Sequence, residues 1–206
     1  VNIGPRRLAE GLAAAAEAVD ADLVVFLDVG GDALAHGDEA GLGSPLCDAV
    51  MLAAADLLGQ SGVPVLGAVF GAGCDGELTP TEVLERLAEV GRAGGLAGAI
   101  GITADVAALL ERAVDAVPTE ASAQALRAFH GDVGEVPIRG GRRTVLLSPV
   151  AAVTFFFEIP EALASAARLA LAVRDSDDLE SANEVLRGLG IRSELDWERE
   201  NARQSD

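Results

Sequence analysis

The sequence predicts a three-layer α/β domain with a mainly parallel sheet and a C-terminal antiparallel hairpin. Three observations predict it. Unbroken apolar runs at 23–28, 63–70 and 96–102 have the length of strands and the character of strands covered on both faces. A helix-start signal follows each of them, giving strand and helix in alternation. Later, Gly140-Gly141 separates two short β-like runs and reads as a two-residue hairpin turn.

The elements follow in chain order. Residues 6–19 are alanine-rich, with Leu8, Leu12 and Val19 as spaced apolar positions, and read as the first helix. The strand at 23–28 runs straight into Asp28. Ser44 is a good N-cap with Pro45 at the first helical position, and the helix should reach about residue 58. The strand at 63–70 ends in "GAGCDGE". Thr79-Pro80-Thr81-Glu82 then reads as a capping box opening a helix to about residue 90. After the strand at 96–102, Thr103 caps a helix to 117, and another helix covers 119–129. Runs at 136–139 and 142–147 flank the glycine pair, and 150–157 is a further apolar strand. Helices are expected at about 160–173 and 177–189, the second opened by Ser176 or Asp177. Residues 1–197 read as one domain and 198–206 as a polar tail that frays after Trp197. The start at Val1 rather than Met predicts an upstream strand-helix segment.

A chain of 206 residues, half of them apolar, buries one full core. Aromatics make up only 3%, so Leu, Val, Ala and Ile must fill it. There is no Tyr and no Lys, so all 15 basic residues are Arg. This excludes a Schiff-base or P-loop lysine and a tyrosine acid. A net charge of −18 argues against nucleic acid and anionic membranes as partners. Cys47 and Cys74 make no disulfide framework and read as reduced thiols of a cytoplasmic protein, Cys47 as a small buried residue. No apolar run is long enough to span a membrane. In "VAAVTFFFE", Phe155 and Phe157 share one strand face and Phe156 takes the other. Both faces need cover, so a homo-oligomer is expected.

Ligands of open parallel sheets bind beyond the carboxyl ends of the strands. Asp28 ends the first strand, Gly71, Gly73, Asp75 and Glu77 follow the second, and Gly101 and Thr103 follow the third. The loop behind Asp28 adds Gly30, Gly31, Asp32, His36, Asp38, Glu39 and Gly43. The helix opened by Ser44 would aim free N–H groups at the same edge, suiting phosphate or carboxylate. Asp28, Asp32 and His36 are therefore the catalytic candidates. Gly30, Gly31, Glu39, Gly43, Ser44, Gly71, Gly73 and Thr103 are the substrate-binding candidates. Asp28, Asp32, Asp48 and Asp75 form an all-oxygen set suited to Mg or Mn, or to Ca, rather than zinc.

Each candidate has a structural alternative. Asp28 is equally a cap for the Gly30-Gly31 turn, and Asp38 and Glu39 are equally solvated loop charges. Asp48 suits the positive end of its helix, and His130 the negative end of another. Arg139, Arg142 and Arg143 around the hairpin read first as surface charge and second as an anion site. No GxGxxG, GxSxG or HExxH occurs, so no nicotinamide or flavin cofactor is expected.

Taken together, "DVGGD", "HGDEAGLGSPLCD", "FGAGCDGEL" and "ANEVLRGLGIRSELDWE" resemble a conserved domain-of-unknown-function family of archaea and actinomycetes. The resemblance spans nearly the whole chain. It implies a Rossmann-like fold, and members with a longer N-terminus carrying a "GGGD"-like strand-turn that this sequence lacks. It implies no activity. The residues themselves point to an enzyme of small-molecule metabolism, doing lyase or hydrolase-type acid/base chemistry on a polar phosphorylated or carboxylated metabolite. The alternative is a non-catalytic metabolite-binding or assembly subunit.

Overall fold

The structure is a computed structural model and describes residues 2–204. Helix α1 (Pro5–Ala18) precedes strand β1 (Val24–Val29), then α2 (Pro45–Gln60), β2 (Val65–Phe70), α3 (Pro80–Arg92) and β3 (Leu96–Gly101). Helices α4 (Ala104–Ala116) and α5 (Glu120–Phe129) lead to the hairpin strands β4 (Gly134–Ile138) and β5 (Arg143–Leu147). Strand β6 (Val153–Phe157) follows, then α6 (Ile159–Ala164), α7 (Arg168–Val173), α8 (Leu179–Gly188) and α9 (Glu194–Gln204). Pro stands in the first turn of α1, α2, α3 and α6, where the missing N–H has no intrahelical partner to lose. The Thr79–Glu82 capping box is formed in full.

The three apolar runs are strands, but the sheet is mixed. Its order is β1-β2-β6-β3. Only β1 and β2 pair in parallel, because β6 enters between β2 and β3 and runs antiparallel to both. The hairpin forms a separate two-stranded sheet. Its loop is also longer than the glycine pair suggests. Ile138 pairs with Arg143, so Arg139 to Arg142 make the turn, and Arg139 itself takes a positive φ of 51°.

The helices load one face. Phe26, Val69, Phe155 and Phe157 pack into one cluster with buried residues of α2, α3, α6, α7 and α8. Each fully buried side chain of this kind contributes about 1.5–3 kcal/mol. The opposite face is covered near its carboxyl end, where Phe70 and Val29 meet α5 and the hairpin. Val25, Leu27 and Ile100 stay exposed. All six residues of β3 are exposed, against the expectation of a strand covered on both faces. The reason is that β3 is an edge, and "LAGAIG" offers two glycines and two alanines with little side chain to bury.

Three smaller differences follow from local chemistry. The helix expected at 160–173 breaks in two, and Ser165 Oγ donates back to the Glu161 carbonyl at the break. Helix α8 is capped by Asp178 rather than Ser176 or Asp177, with Ser181 completing a capping box. Helix α9 runs on past Trp197 to Gln204, so the polar stretch is helical that far, and residues 205–206 lie outside the described part. Among the described residues, no helix is long and apolar enough to cross a membrane.

Candidate functional site

The parallel pairing of β1 and β2 puts their exits side by side. The two loops are then tied together, as the Gly73 N–H donates to the Gly30 carbonyl at 2.7 Å. Gly30 has φ 131°, and a Cβ there would lie 2.3 Å from Asp75 Cγ. Only glycine lets the Asp75 carboxylate come so close to the β1 exit. Past Gly31 a 3₁₀ turn over Asp32–Leu34 turns Asp32 inward to 6% exposure. The same turn aims the Ala33 N–H at Asp28 Oδ2, 3.2 Å away. The first turn of α2 supplies Asp48. Asp28, Asp32, Asp48 and Asp75 are thus brought into mutual electrostatic reach.

Arg143, paired with Glu77, tempers Asp75, but no arginine is committed to any of these four aspartates among the described residues. Among the described residues none of them forms an ion pair. Burial, then the charges of Asp28 and Asp48, push Asp32 up to about 11. Burial, then Asp48, push Asp28 up to about 8, against the pull of the Ala33 and Gly31 N–H groups. Asp48 rises to about 6 through burial, moderated by a hydrogen bond with Asp32. Asp75 also rises to about 6 through burial, moderated by the Glu77 N–H. Asp32, raised furthest, is the member of the hydrogen-bonded Asp32–Asp48 pair that keeps its proton. Close carboxylates tolerate one another only with a proton or a cation between them.

Glu77 behaves differently, although its neighbours are the same. Its Oε2 accepts from the Gly43 and Ser44 N–H groups at 2.8 and 2.9 Å. Its Oε1 accepts from the Ser44 hydroxyl and pairs with Arg143 at 3.1 Å. Burial alone would raise its pKa, but these donors, the Ser44 hydroxyl foremost, hold it below the usual range. Oxygens of Asp32, Asp75 and Glu77 lie within 4.8 Å of one another, close enough to share an ion. With its acceptor sites already occupied, Glu77 serves as the anchor of the 43–44 loop, and the open acceptors belong to the aspartates. Sequence reasoning saw the acid in "CDGE" but gave it no role. Its partners lie 33 and 34 residues upstream and on the hairpin, so no local pattern announces them.

The α2 N-terminus is not free. Leu46 and Cys47 N–H groups donate to the two Glu194 oxygens at 3.1 and 2.8 Å. Ser44 makes no side-chain cap, because its hydroxyl goes to Glu77. The anion expected at this terminus is the protein's own carboxylate, from 148 residues away. Cys47 is exposed rather than buried. Desolvation of its sulfur and the Glu194 carboxylate beside it push the thiol up to about 12, which removes any nucleophilic thiolate.

The remaining candidates lie elsewhere. His36 Nε2 lies 2.9 Å from Glu89 Oε2, with Arg86 Nη1 2.6 and 2.7 Å from its two ring nitrogens. Glu39 accepts from the His36 and Gly37 N–H groups and faces Arg86 at 3.6 Å. Both therefore staple the loop to α3. Thr103 caps α4 through the Val106 N–H. Because β6 separates β3 from β2, Thr103 stands two strand spacings from the β2 exit, roughly 10 Å away. Gly71 and Gly73 shape the second loop with positive φ, and Gly43 abuts Arg143, where a Cβ would meet Nη2 at 2.7 Å. His130 pairs with Glu111 at 2.9 Å on the surface.

The chain belongs to the family described as "Protein of unknown function (DUF1152)", whose model matches residues 1–202. No curated protein and no solved structure matches it.

Proposed function

We propose that this chain is an enzyme of small-molecule metabolism, built on a Rossmann-like α/β scaffold, with a divalent-metal site at the carboxyl ends of β1 and β2. One observation carries the reading. Among the described residues Asp28, Asp32, Asp48 and Asp75 converge without an ion pair, Asp28 and Asp75 having only backbone N–H donors, while Glu39 and Glu77 each have several donors and an arginine. Four carboxylates, two of them with pKa raised to about 8 and about 11, make a set that a hard cation stabilises by displacing protons. Mg or Mn fits the all-oxygen donors. Asp28 and Asp75 act as first-choice ligands, and the Asp32–Asp48 pair holds a proton within reach of a bound metabolite, as hydrolytic or lyase chemistry requires.

A second reading is a non-catalytic metabolite-binding or assembly subunit, forming homo-oligomers. The observation that favours it is the apolar sheet face left open at Val25, Leu27 and Ile100. A panel of phosphorylated and carboxylated metabolites, incubated with Mg²⁺ or Mn²⁺, separates the two. Turnover of one of them, lost in Asp28→Asn, supports the enzyme. Retention of a ligand unchanged, with no turnover across the panel, supports the subunit.

A further inference from the structure

Beside the acidic cluster lies a cavity of about 580 Å³ with a different chemistry. Arg139, Arg142 and Arg143 line it from the hairpin, and Trp197 and Glu198 from α9. In a chain of net charge −18, three guanidinium groups on one wall are an exception. Arg143 is committed to Glu77 at 3.1 Å, and Arg139 reaches the same carboxylate only at 4.0 Å. Arg142 has no carboxylate partner among the described residues; its Nε donates to the Arg139 carbonyl at 3.0 Å. That bond holds the guanidinium on the turn at the cavity wall. Arg139 itself is kept at φ 51°, a conformation rarely adopted outside glycine. Its N–H is tied to Glu120 at 2.7 Å, so the surroundings enforce the turn that presents the arginines. Of the two glutamates on the wall, Glu194 is already satisfied by the α2 N–H groups, which leaves Glu198 as the one opposing charge.

We infer that this cavity binds a phosphoryl group, held by Arg142 and Arg139, and that it is the anion end of the metabolite site. Guanidinium groups match phosphate oxygens in paired hydrogen bonds. Glu77 connects the wall to the acidic cluster, pairing with Arg143 on one side and lying within 4.8 Å of Asp32 and Asp75 oxygens on the other. One ligand therefore spans both, its phosphoryl group on the arginines and its reacting end at the aspartates. The inference rests on the proposed function only for this last step, the identity of the anion as part of a substrate.

Trp197 is the chain's one tryptophan and lines the cavity, so its fluorescence reports on it directly. The test is a titration with inorganic pyrophosphate in EDTA, which removes any metal contribution. The expected result is a saturable fluorescence change whose midpoint rises more than tenfold in Arg142→Gln and is unchanged in Arg127→Gln, an exposed arginine paired with Asp132 and outside the cavity. Arg142 is exposed, so its variant should melt with the parent protein, and that is checked in parallel. No saturable change, an unaltered midpoint in Arg142→Gln, or equal competition by acetate would overturn the phosphoryl site. Failure of the acidic-site reading leaves a different mark: absent Mn²⁺ binding with the pyrophosphate titration intact.

Discussion

Two acidic clusters behind the ends of β1 and β2 have nearly the same composition and opposite electrostatics. His36, Asp38 and Glu39 bring ligand atoms within 4.8 Å of one another, and so do Asp32, Asp75 and Glu77. In the first, Glu39 takes two backbone N–H groups, and Arg86 and Glu89 enclose His36. Glu39 and His36 have partners inside the protein and Asp38 faces solvent, so the cluster is a clasp between loop and helix. In the second, Glu77 alone is satisfied, and the aspartates around it are left to repel. What separates a scaffold from a candidate site is therefore which groups remain uncompensated, and proximity of acids alone says little.

The strongest way to break the contrast is to remove the one compensated acid of the second cluster. Glu77→Ala orphans the Gly43 and Ser44 N–H groups and the Arg143 guanidinium. A loss of about 3–5 kcal/mol is expected in a urea titration. A change under 1 kcal/mol would show that Glu77 is not an anchor.

Next in size is the pH dependence of the metal-free protein. The aspartates have folded pKa values above their unfolded ones, so the fold binds more protons than the unfolded chain. Stability from this source is complete below about pH 4. It is lost as pH rises through about 6 for Asp48 and Asp75 and about 8 for Asp28. The melting temperature in EDTA should fall between pH 5 and pH 9, by at least about 2 kcal/mol or roughly 4–8 °C. Asp32→Asn should flatten the slope. A melting temperature that rises over this range would contradict the uncompensated charge.

Asp28→Asn keeps the turn and removes a charge. It should melt at the parent temperature or higher while Mn²⁺ binding weakens more than tenfold, about 1.4 kcal/mol. Normal binding would leave Asp28 with the structural role of accepting the Ala33 N–H. The clasp supplies the converse case. Glu39→Gln should lower stability by about 1–2 kcal/mol with Mn²⁺ affinity untouched, and a parallel loss of affinity would merge the two clusters into one site. Smallest of all, Thr103→Ala removes the α4 cap, about 1 kcal/mol, with no effect on any ligand. Reduced metal or pyrophosphate binding in that variant would bring the third strand exit back into the site.

These contrasts follow the line between what local sequence encodes and what it does not. Thr79-Pro80 and Thr103 mark helix starts because a cap is satisfied within three residues, and Pro45 marks one because proline suits the first helical turn. Asp28, Asp32, Asp48 and Asp75 stand out as acids at strand and helix ends, and the structure does gather them. The antiparallel entry of β6 leaves no local trace. "VTFFF" is equally apolar in either direction, and its placement follows from long-range packing of Phe155 and Phe157 beneath the helices. The same limit hid Glu194, which caps a helix 148 residues away, and the pairing of Glu77 with the hairpin. His36 misled for the opposite reason: histidine beside glycine in an acidic loop looks catalytic until Arg86 and Glu89 are seen to hold it.

The central claim is that the four aspartates hold protons that a metal ion replaces. Calorimetric titration with Mn²⁺ at pH 7, repeated in two buffers of different ionisation enthalpy, measures both the binding and the protons released. Saturable binding with net release of about one to two protons per ion, weakened more than tenfold in Asp32→Asn, is expected. Absence of binding at millimolar Mn²⁺, or binding with no proton released, would contradict it.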